Sequence, residues 1–268
     1  MASPVSPITG DYFGGKGRLY FSLTGSTRVE EIGDIDDFTI SLENERLERF
    51  SNQYGTRTKT DTRLLQQNAT ISFTAVQNTA RNMAIMFGAE KTFKTQAVAT
   101  GTFVHNNVKA GDIVDLGALD VTLISILGDA TITGAYATGN YELDSRAGLL
   151  KILSIPSAAS AMSGFDVKYL PGAITGSDGR LHIGLGSSPD LEGKLIFIAL
   201  NADNEPVEKV TLHKCKLGPN GDVNLISDEY RTLPVQGDII ADTTKAAGFY
   251  LGQLEDLTQR TNRGQADA

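Results

Sequence analysis

The sequence predicts a mainly β protein with one short helix and a small β domain inserted into a larger one. Most of the chain consists of short segments in which apolar and polar residues alternate, as they do along a half-buried strand. Turns rich in Gly, Asp and Ser separate these segments, and the chain contains 28 glycines. Its 268 residues are 40% hydrophobic and 21% charged, which suits one large core or two modest ones.

The first predicted strand covers residues 17–23, and a cluster of five carboxylates follows it. The cluster comprises Glu30, Glu31, Asp34, Asp36 and Asp37. Its spacing does not match the calcium-binding loop of an EF-hand. We therefore expect a solvated face or a contact with a basic partner.

Two further strands are each predicted to have one apolar and one polar face. Successive side chains of a strand point to opposite sides, which places Phe38, Ile40 and Leu42 together. Ala69 and Phe73 belong to the apolar face of the second strand. The polar faces carry Asp37, Thr39, Ser41, Glu43, Thr70, Ser72 and Thr74. The pair therefore predicts a sheet with one buried side and one smooth, hydrated side.

Residues 44–67, between these two strands, are predicted to form a long loop. The segment is too polar to bury a core of its own, so its apolar side chains need another surface to cover them. The side chains expected to contact a neighbouring subunit are Leu47, Arg49, Phe50, Tyr54, Arg57, Lys59, Leu64 and Leu65. A mobile, solvated loop is the alternative interpretation.

A short helix is predicted over residues 79–87. Asn78 suits the N-cap position, and Gly88 suits the end of the helix. The helical spacing of its apolar residues predicts one stripe that packs across the buried face of the sheet. This stripe comprises Ala80, Met83, Ala84 and Phe87.

Changes in composition along the chain predict the domain boundaries. Residues 195–200 are apolar on both faces, which predicts a central strand of the larger domain. Pro171 and Gly172 mark the point where the chain returns from the insertion. The predicted segments are 1–92 and 173–252 for the larger domain, 93–172 for the inserted domain, and 253–268 for a frayed or partner-ordered tail.

No catalytic, cofactor-binding or metal site is predicted, and we expect no enzyme. His105, His182 and His213 stand apart from one another and from any nucleophile motif. Residues 14–17, GGKG, lack the frame of a phosphate-binding loop. The single cysteine, Cys215, excludes an internal disulfide and suits a half-buried strand position better than a reactive thiol.

The charge of the chain disfavours tight binding to nucleic acid. Affinity for DNA comes mainly from Lys and Arg, whereas this chain carries a net charge of -8. The sequence also predicts no secretory signal and no membrane contact, because no window has the length and apolarity of a spanning segment.

Residues 33–90 resemble the core of the tail tube protein, or major tail protein, of long-tailed, non-contractile bacteriophages. The resemblance lies in the order of parts: an acidic-to-apolar strand, a long connection of the form ER…F(S/N)…G…K, a returning strand, and a short helix that ends in Phe-Gly. Residues 201–235, which end in YRTLPV, are similar to the C-terminal half of that family. Residues 140–153, NYELDSRAGLLKIL, resemble the extra sandwich modules of some tail tube proteins.

The resemblance implies a tail-tube-type β-sandwich or incomplete barrel that assembles as stacked, hexameric rings. The rings would form the channel for genome delivery, with the polar strand faces towards the lumen and residues 44–67 docked on an adjacent subunit. The implied partners are further copies of the chain, the tape measure protein, the tail terminator and baseplate or distal tail proteins, while double-stranded DNA passes without sticking. The protein would assemble in the host cytoplasm and reside in the virion tail.

Two other functions remain open from the sequence. The tube subunit of a contractile tail, a gene transfer agent or a secretion system shares the same fold. A module that binds carbohydrate or a host surface is the alternative from another class, although the chain has no Trp to form a sugar platform.

Overall fold

The computed structural model describes residues 15–53, 55–105, 107–127, 138–155, 165–189 and 191–257. Within these residues the protein is mainly β, with antiparallel sheets and one α-helix, which confirms the predicted fold class. The chain divides into two compact units. The inserted unit spans Thr92–His182, and the larger unit comprises the residues before and after it.

The strands are named in chain order, β1 to β14, with helix α1 after β4. In the larger unit they are β1 Lys16–Leu23, β2 Glu30–Glu31, β3 Ile35–Ser51, β4 Thr58–Ala75, α1 Ala80–Met86, β11 Leu191–Leu200, β12 Pro206–Pro219, β13 Leu233–Ile239 and β14 Gly252–Asp256. In the inserted unit they are β5 Gly101–His105, β6 Ile113–Asp115, β7 Thr122–Leu127, β8 Tyr141–Asp144, β9 Leu149–Ile152 and β10 Phe165–Leu170.

One antiparallel sheet organises the larger unit. Its strand order is β2-β1-β11-β12-β13-β4-β3, and β14 also pairs with β12. β11 lies between β1 and β12, so the prediction of a central strand at residues 195–200 is confirmed. One face of β11 is buried at Leu191, Leu195 and Ala199, whereas Ile196 and Ile198 on the other face are half-buried.

The sheet of the larger unit curls around a single core. Phe38 of the edge strand β3 stacks on Phe197 of β11, with 5.0 Å between the ring centroids, although three strands separate β3 from β11 in the sheet. Such a contact requires the two regions of the sheet to face each other. The largest fully buried side chains of this core are Leu19, Phe21, Ile32, Ile71, Phe73, Ile85, Leu195 and Leu217.

Helix α1 begins one residue later than predicted. Thr79, not Asn78, is the N-cap, and its hydroxyl accepts a hydrogen bond from the Asn82 backbone N–H at 3.2 Å. The helix ends before Gly88, whose φ of +56° is accessible to glycine at low cost. The predicted apolar stripe is partly wrong. The buried positions are Asn82, Ala84, Ile85 and Met86, whereas Ala80, Met83 and Phe87 are only half-buried.

The side chain of Asn82 ties the helix to the β2–β3 connection. Its amide Nδ2 donates to the Ile32 carbonyl at 2.7 Å and to the Gln77 carbonyl at 2.8 Å. Asn82 is 1% exposed, and its hydrogen bond to the Ile32 carbonyl is buried, whereas the one to the Gln77 carbonyl is partly buried. This amide therefore satisfies two backbone acceptors that the sheet does not pair.

The inserted unit contains two small sheets around a core of its own. Their strand orders are β5-β10-β7 and β6-β9-β8. Leu150, Ile152, Phe165 and Val167 are fully buried in the core that these sheets share.

The predicted C-terminal boundary of the insertion, at residue 172, is corrected to His182. Backbone hydrogen bonds join Lys94 to Arg180 and Gln96 to Ile174, so residues 173–182 pair with the start of the insertion. Residues 253–256 are likewise not part of a tail, because they belong to β14 and pair with β12. The rest of the predicted tail, residues 258–268, lies outside the described part of the chain.

Glu30 of the acidic cluster has basic partners within its own unit. Its carboxylate accepts from Arg81 Nε at 2.8 Å and from Lys91 Nζ at 2.6 Å. Burial by itself would raise the pKa of Glu30, but the hydrogen bonds from Arg81 and Lys91 outweigh it and hold the pKa below its ordinary value of 4.5. Glu31, Asp34, Asp36 and Asp37 are exposed and form no salt bridge with the described residues.

Replacing Asn82 by Ala should lower the free energy of unfolding by about 2 kcal/mol, because the buried Ile32 carbonyl and the partly buried Gln77 carbonyl lose their donor. Chemical denaturation monitored by circular dichroism measures this loss. Asn52→Ala is the matched control, since Asn52 is exposed in the turn between β3 and β4. A loss no larger than that of the control would contradict the role given to Asn82.

Glu30→Gln should lower the free energy of unfolding at pH 7 by about 1–2 kcal/mol, since it removes a charged acceptor shared by two basic groups. A carboxylate with a lowered pKa stabilises the fold above its unfolded pKa, and this stabilisation is lost as the pH falls through the folded pKa. The difference from the wild type should therefore shrink below about pH 4.5. Denaturant titrations from pH 3 to 7, with exposed Glu31→Gln as the control, test this; a difference independent of pH would contradict it.

Candidate functional site

The prediction that residues 44–67 form a loop is wrong, because most of this segment is a β-ribbon. Strands β3 and β4, of 17 and 18 residues, stay paired from Ile35 and Ala75 out to Ser51 and Thr58. We call residues 44–67 the outer ribbon. Its nearly complete exposure shows that it extends past the core, which ends at Ala69. At about 3.3 Å per residue, it reaches about 25 Å beyond that point.

Cross-strand contacts hold the outer ribbon together. Lys59 forms a salt bridge with Glu48, and the Arg57 guanidinium lies 4.9 Å from the centre of the Phe50 ring. The β-branched residues Thr58, Thr60 and Thr62 favour an extended backbone. Sequence reasoning missed the ribbon because neither of its faces is continuously apolar, and an apolar face is the usual sign of a strand.

The outer ribbon exposes apolar side chains on both of its faces. Phe50, which is 40% exposed, lies on the side of β3 that continues from the core through Ile40 and Leu42. Leu47, 57% exposed, lies on the other side and pairs with Arg63. Leu64 and Leu65 are also exposed, at a bulge in β4.

All but one of the predicted contact residues therefore lie on this one projecting element. Leu47, Arg49, Phe50, Arg57, Lys59, Leu64 and Leu65 are exposed along the outer ribbon. Tyr54 lies outside the described residues. Apolar groups that the chain itself leaves uncovered, set among charged ones, are typical of a surface that contacts another protein.

The predicted hydrated face is a continuous polar surface in the sheet. Thr39 lies opposite Ser72 and Ser41 opposite Thr70, and directly opposite residues point to the same side. Glu43 follows at the base of the outer ribbon opposite Asn68. Asp37 lies at a bulge where two residues of β3 face Thr74. All seven predicted residues are exposed or half-buried. We call this surface, together with its neighbours on β12 and β13, the polar face.

The neighbouring strands add residues to the polar face that sequence reasoning missed. Gln236 lies opposite Ser72, Asp238 opposite Thr70, and Lys216 opposite Asp238. A shallow groove of about 570 Å³ runs over this surface and is lined by Thr70, Ser72, Lys216, Gly218, Gln236 and Asp238, among others. The alternation in the sequence LPVQGDI could have predicted this strand and its polar side. Leu233, Val235 and Ile239 are buried, and the residues between them are not.

Neither Cys215 nor His213 belongs to the outer ribbon or the polar face, although both lie in β12. Cys215 is fully buried in β12, instead of half-buried as predicted, and burial raises the pKa of its thiol to about 12. Burial, and then the charges of Lys245 and Lys194, lower the pKa of His213 against the opposing effect of Asp242. In the described residues no group of three or more His, Cys, Asp or Glu side chains is arranged to hold a metal ion.

The charge of the outer ribbon is opposite in sign to that of the chain as a whole. Residues 44–67 carry five basic and three acidic side chains, an excess of two positive charges, in a chain of net charge -8. A basic, projecting element of this kind is suited to contact with an acidic surface. None of the described helices has the length and apolarity needed to cross a membrane.

Residues 12–257 match the model of a family described as protein of unknown function UCP028589, and the chain belongs to that family. Comparison with curated proteins found no match.

Proposed function

We propose that this chain is the structural subunit of a viral tail tube, which polymerises into stacked rings around a channel for genome delivery. The resemblance of residues 33–90 and 201–235 to tail tube proteins supports this proposal. A curled antiparallel sheet with one short helix agrees with the sandwich or incomplete barrel that the resemblance implies. In this function the chain acts by geometry and charge instead of catalysis.

The outer ribbon is the observation that carries the proposal. A monomeric protein gains nothing from an extended hairpin that leaves Leu47, Phe50 and Leu64 in water. On an adjacent subunit these side chains would be buried, and full burial of each contributes about 2 kcal/mol. Repeated around a ring and between rings, this contact would hold the tube together.

The polar face provides a surface suited to the lumen. Hydroxyl and amide groups dominate it, and Asp238 and Lys216 offset each other in charge. DNA that slides past such a wall meets no row of basic side chains, and those are what give proteins affinity for phosphate. The same surface would accommodate the tape measure protein before the genome passes.

The remaining partners follow from the tube itself. An open stack of rings has two ends, which a tail terminator and distal tail or baseplate proteins would cover. The tube would assemble in the host cytoplasm and remain in the virion tail.

Purified protein at rising concentration should form hollow tubes or stacked rings, visible by negative-stain electron microscopy. Phe50→Asp and Leu47→Asp should each leave a folded protein that forms no tubes, because a carboxylate cannot be buried in the contact without a partner. Thr243→Asp, at an exposed position outside the outer ribbon, is the matched control and should assemble.

Tubes formed by Phe50→Asp at the wild-type concentration would contradict the role of the outer ribbon. Wild-type protein that stays compact and monomeric at every concentration would contradict assembly by the chain alone. Circular dichroism and thermal unfolding of each variant distinguish a lost contact from a lost fold.

Adding basic side chains to the polar face with Thr39→Lys and Ser72→Lys should preserve tubes but make them retain double-stranded DNA. The expected retention falls as salt rises, because it depends on counterion release. A co-sedimentation assay with linear DNA at 50 and 200 mM salt measures this, and the same two lysines at exposed Ser145 and Ala147 of the inserted unit provide the control. If both variants retained the same amount of DNA, the assignment of Thr39 and Ser72 to the lumen would be contradicted.

A further inference from the structure

The connection between β12 and β13 forms a second surface with uncovered apolar side chains. We call residues 220–232 the acidic loop. Ile226 is 97% exposed and Tyr230 is 94% exposed, and Leu225 is exposed beside them. Asp222, Asp228 and Glu229 surround these residues, while Arg231 is the only basic residue of the segment. The acidic loop thus combines an excess of two negative charges with three apolar side chains in water.

Contacts at both ends fix the acidic loop to the body of its unit. Val223 packs against the core. Arg231 donates from Nε to Asn78 Oδ1 at 3.0 Å and from its terminal nitrogen to Met83 Sδ at 3.4 Å. The guanidinium is therefore directed towards helix α1, and the carboxylates dominate the exposed part of the loop. A loop held in this way presents its apolar residues with a smaller loss of conformational entropy on binding.

The acidic loop and the outer ribbon lie at opposite ends of the same pair of strands. Leu233, directly after the loop, pairs with Ala75, and Ala75 also pairs with Ile35 at the start of β3. The ribbon leaves the sheet at the other end of β3 and β4, where Ser51 pairs with Thr58. The exposed acidic residues Asp34, Asp36 and Asp37 lie at the loop end. One end of the unit is therefore basic and apolar, and the other is acidic and apolar.

We propose that the acidic loop is the surface on which the outer ribbon of a second copy docks. The proposal rests on the proposed tube function and names the receiving surface of that contact. Opposite charges would bring the two surfaces together, and Leu225, Ile226 and Tyr230 would cover the apolar residues of the ribbon. The contact joins two different surfaces at opposite ends of the subunit. A subunit that binds through one of them keeps the other free for the next subunit, so the assembly can continue to grow.

A charge-swap series tests this docking. The loop variant carries Asp222→Lys, Asp228→Lys and Glu229→Lys. The ribbon variant carries Arg46→Glu, Arg49→Glu and Arg63→Glu. The control variant carries Glu90→Lys, Glu142→Lys and Asp203→Lys, which change the net charge as the loop variant does at exposed positions outside both surfaces. Sedimentation velocity measures association at any size, and negative-stain microscopy detects tubes.

The loop variant and the ribbon variant should each need a concentration at least about tenfold higher than the wild type to associate, because like charges then meet. The control variant should associate as the wild type does. A chain that carries both sets of substitutions should regain association, and so should an equimolar mixture of the loop and ribbon variants, in which the reversed ribbon meets the reversed loop. Restoration by either route requires direct contact between the two surfaces.

Wild-type association of the loop variant, alongside a failure of Phe50→Asp, would overturn the acidic loop as the receiving surface and leave the tube function in place. Wild-type protein that remains monomeric by sedimentation would overturn the docking contact together with the tube. Unchanged thermal unfolding of every variant is required, so that loss of the fold is not counted as loss of contact.

Discussion

The pairing register of β3 and β4 is the constraint on which the rest of the larger unit depends. At its inner end the register places Phe38 against Phe73 and Ile40 against Ile71, with Phe38 stacked on Phe197. A slip of one residue would turn these side chains away from the core, so burial fixes the register strongly. The fixed inner end then determines the face of each side chain further out along β3, whereas two bulges shift the alternation of β4. Phe50 therefore lies on one side of the ribbon and Leu47 on the other.

Strands β3 and β4 contribute both to the stability of the folded unit and to the proposed contact between subunits. Their inner halves contribute to the core, and their outer halves contribute nothing to it. Hydrophobic residues that are buried stabilise the folded unit, whereas those on the outer ribbon would contribute only in the proposed assembly. The bulges at the two leucines and near Phe50 bend and twist the ribbon, which also discourages unspecific pairing along the open edge of β3.

The distribution of charge follows the same separation between the core and the exposed ends of the larger unit. The core-facing side of the sheet is apolar, and the polar face carries few net charges. The basic excess lies at the ribbon end, and a group of exposed carboxylates lies at the opposite end: Asp34, Asp36, Asp37, Asp222, Asp228 and Glu229. Glu30 is an exception, because Arg81 and Lys91 neutralise it within the unit and so fix the start of helix α1 to β2. Structural ion pairs and exposed carboxylates therefore occur side by side in one acidic cluster of the sequence.

The sequence by itself determined the local features: the alternation of β3 and β4, the apolar run of β11, the helix that ends before Gly88, and the polar row from Thr39 to Thr74. These features depend on residue periodicity, which is visible in one dimension. The tertiary structure decided that residues 44–67 are a ribbon, because pairing there depends on a register set inside the core. It also decided which strands extend the polar face, since β13 reaches β4 only through the folded sheet, and it brought the start and end of the insertion together at Gln96 and Ile174. Long-range pairing follows from burial of the whole core, and no local pattern encodes it.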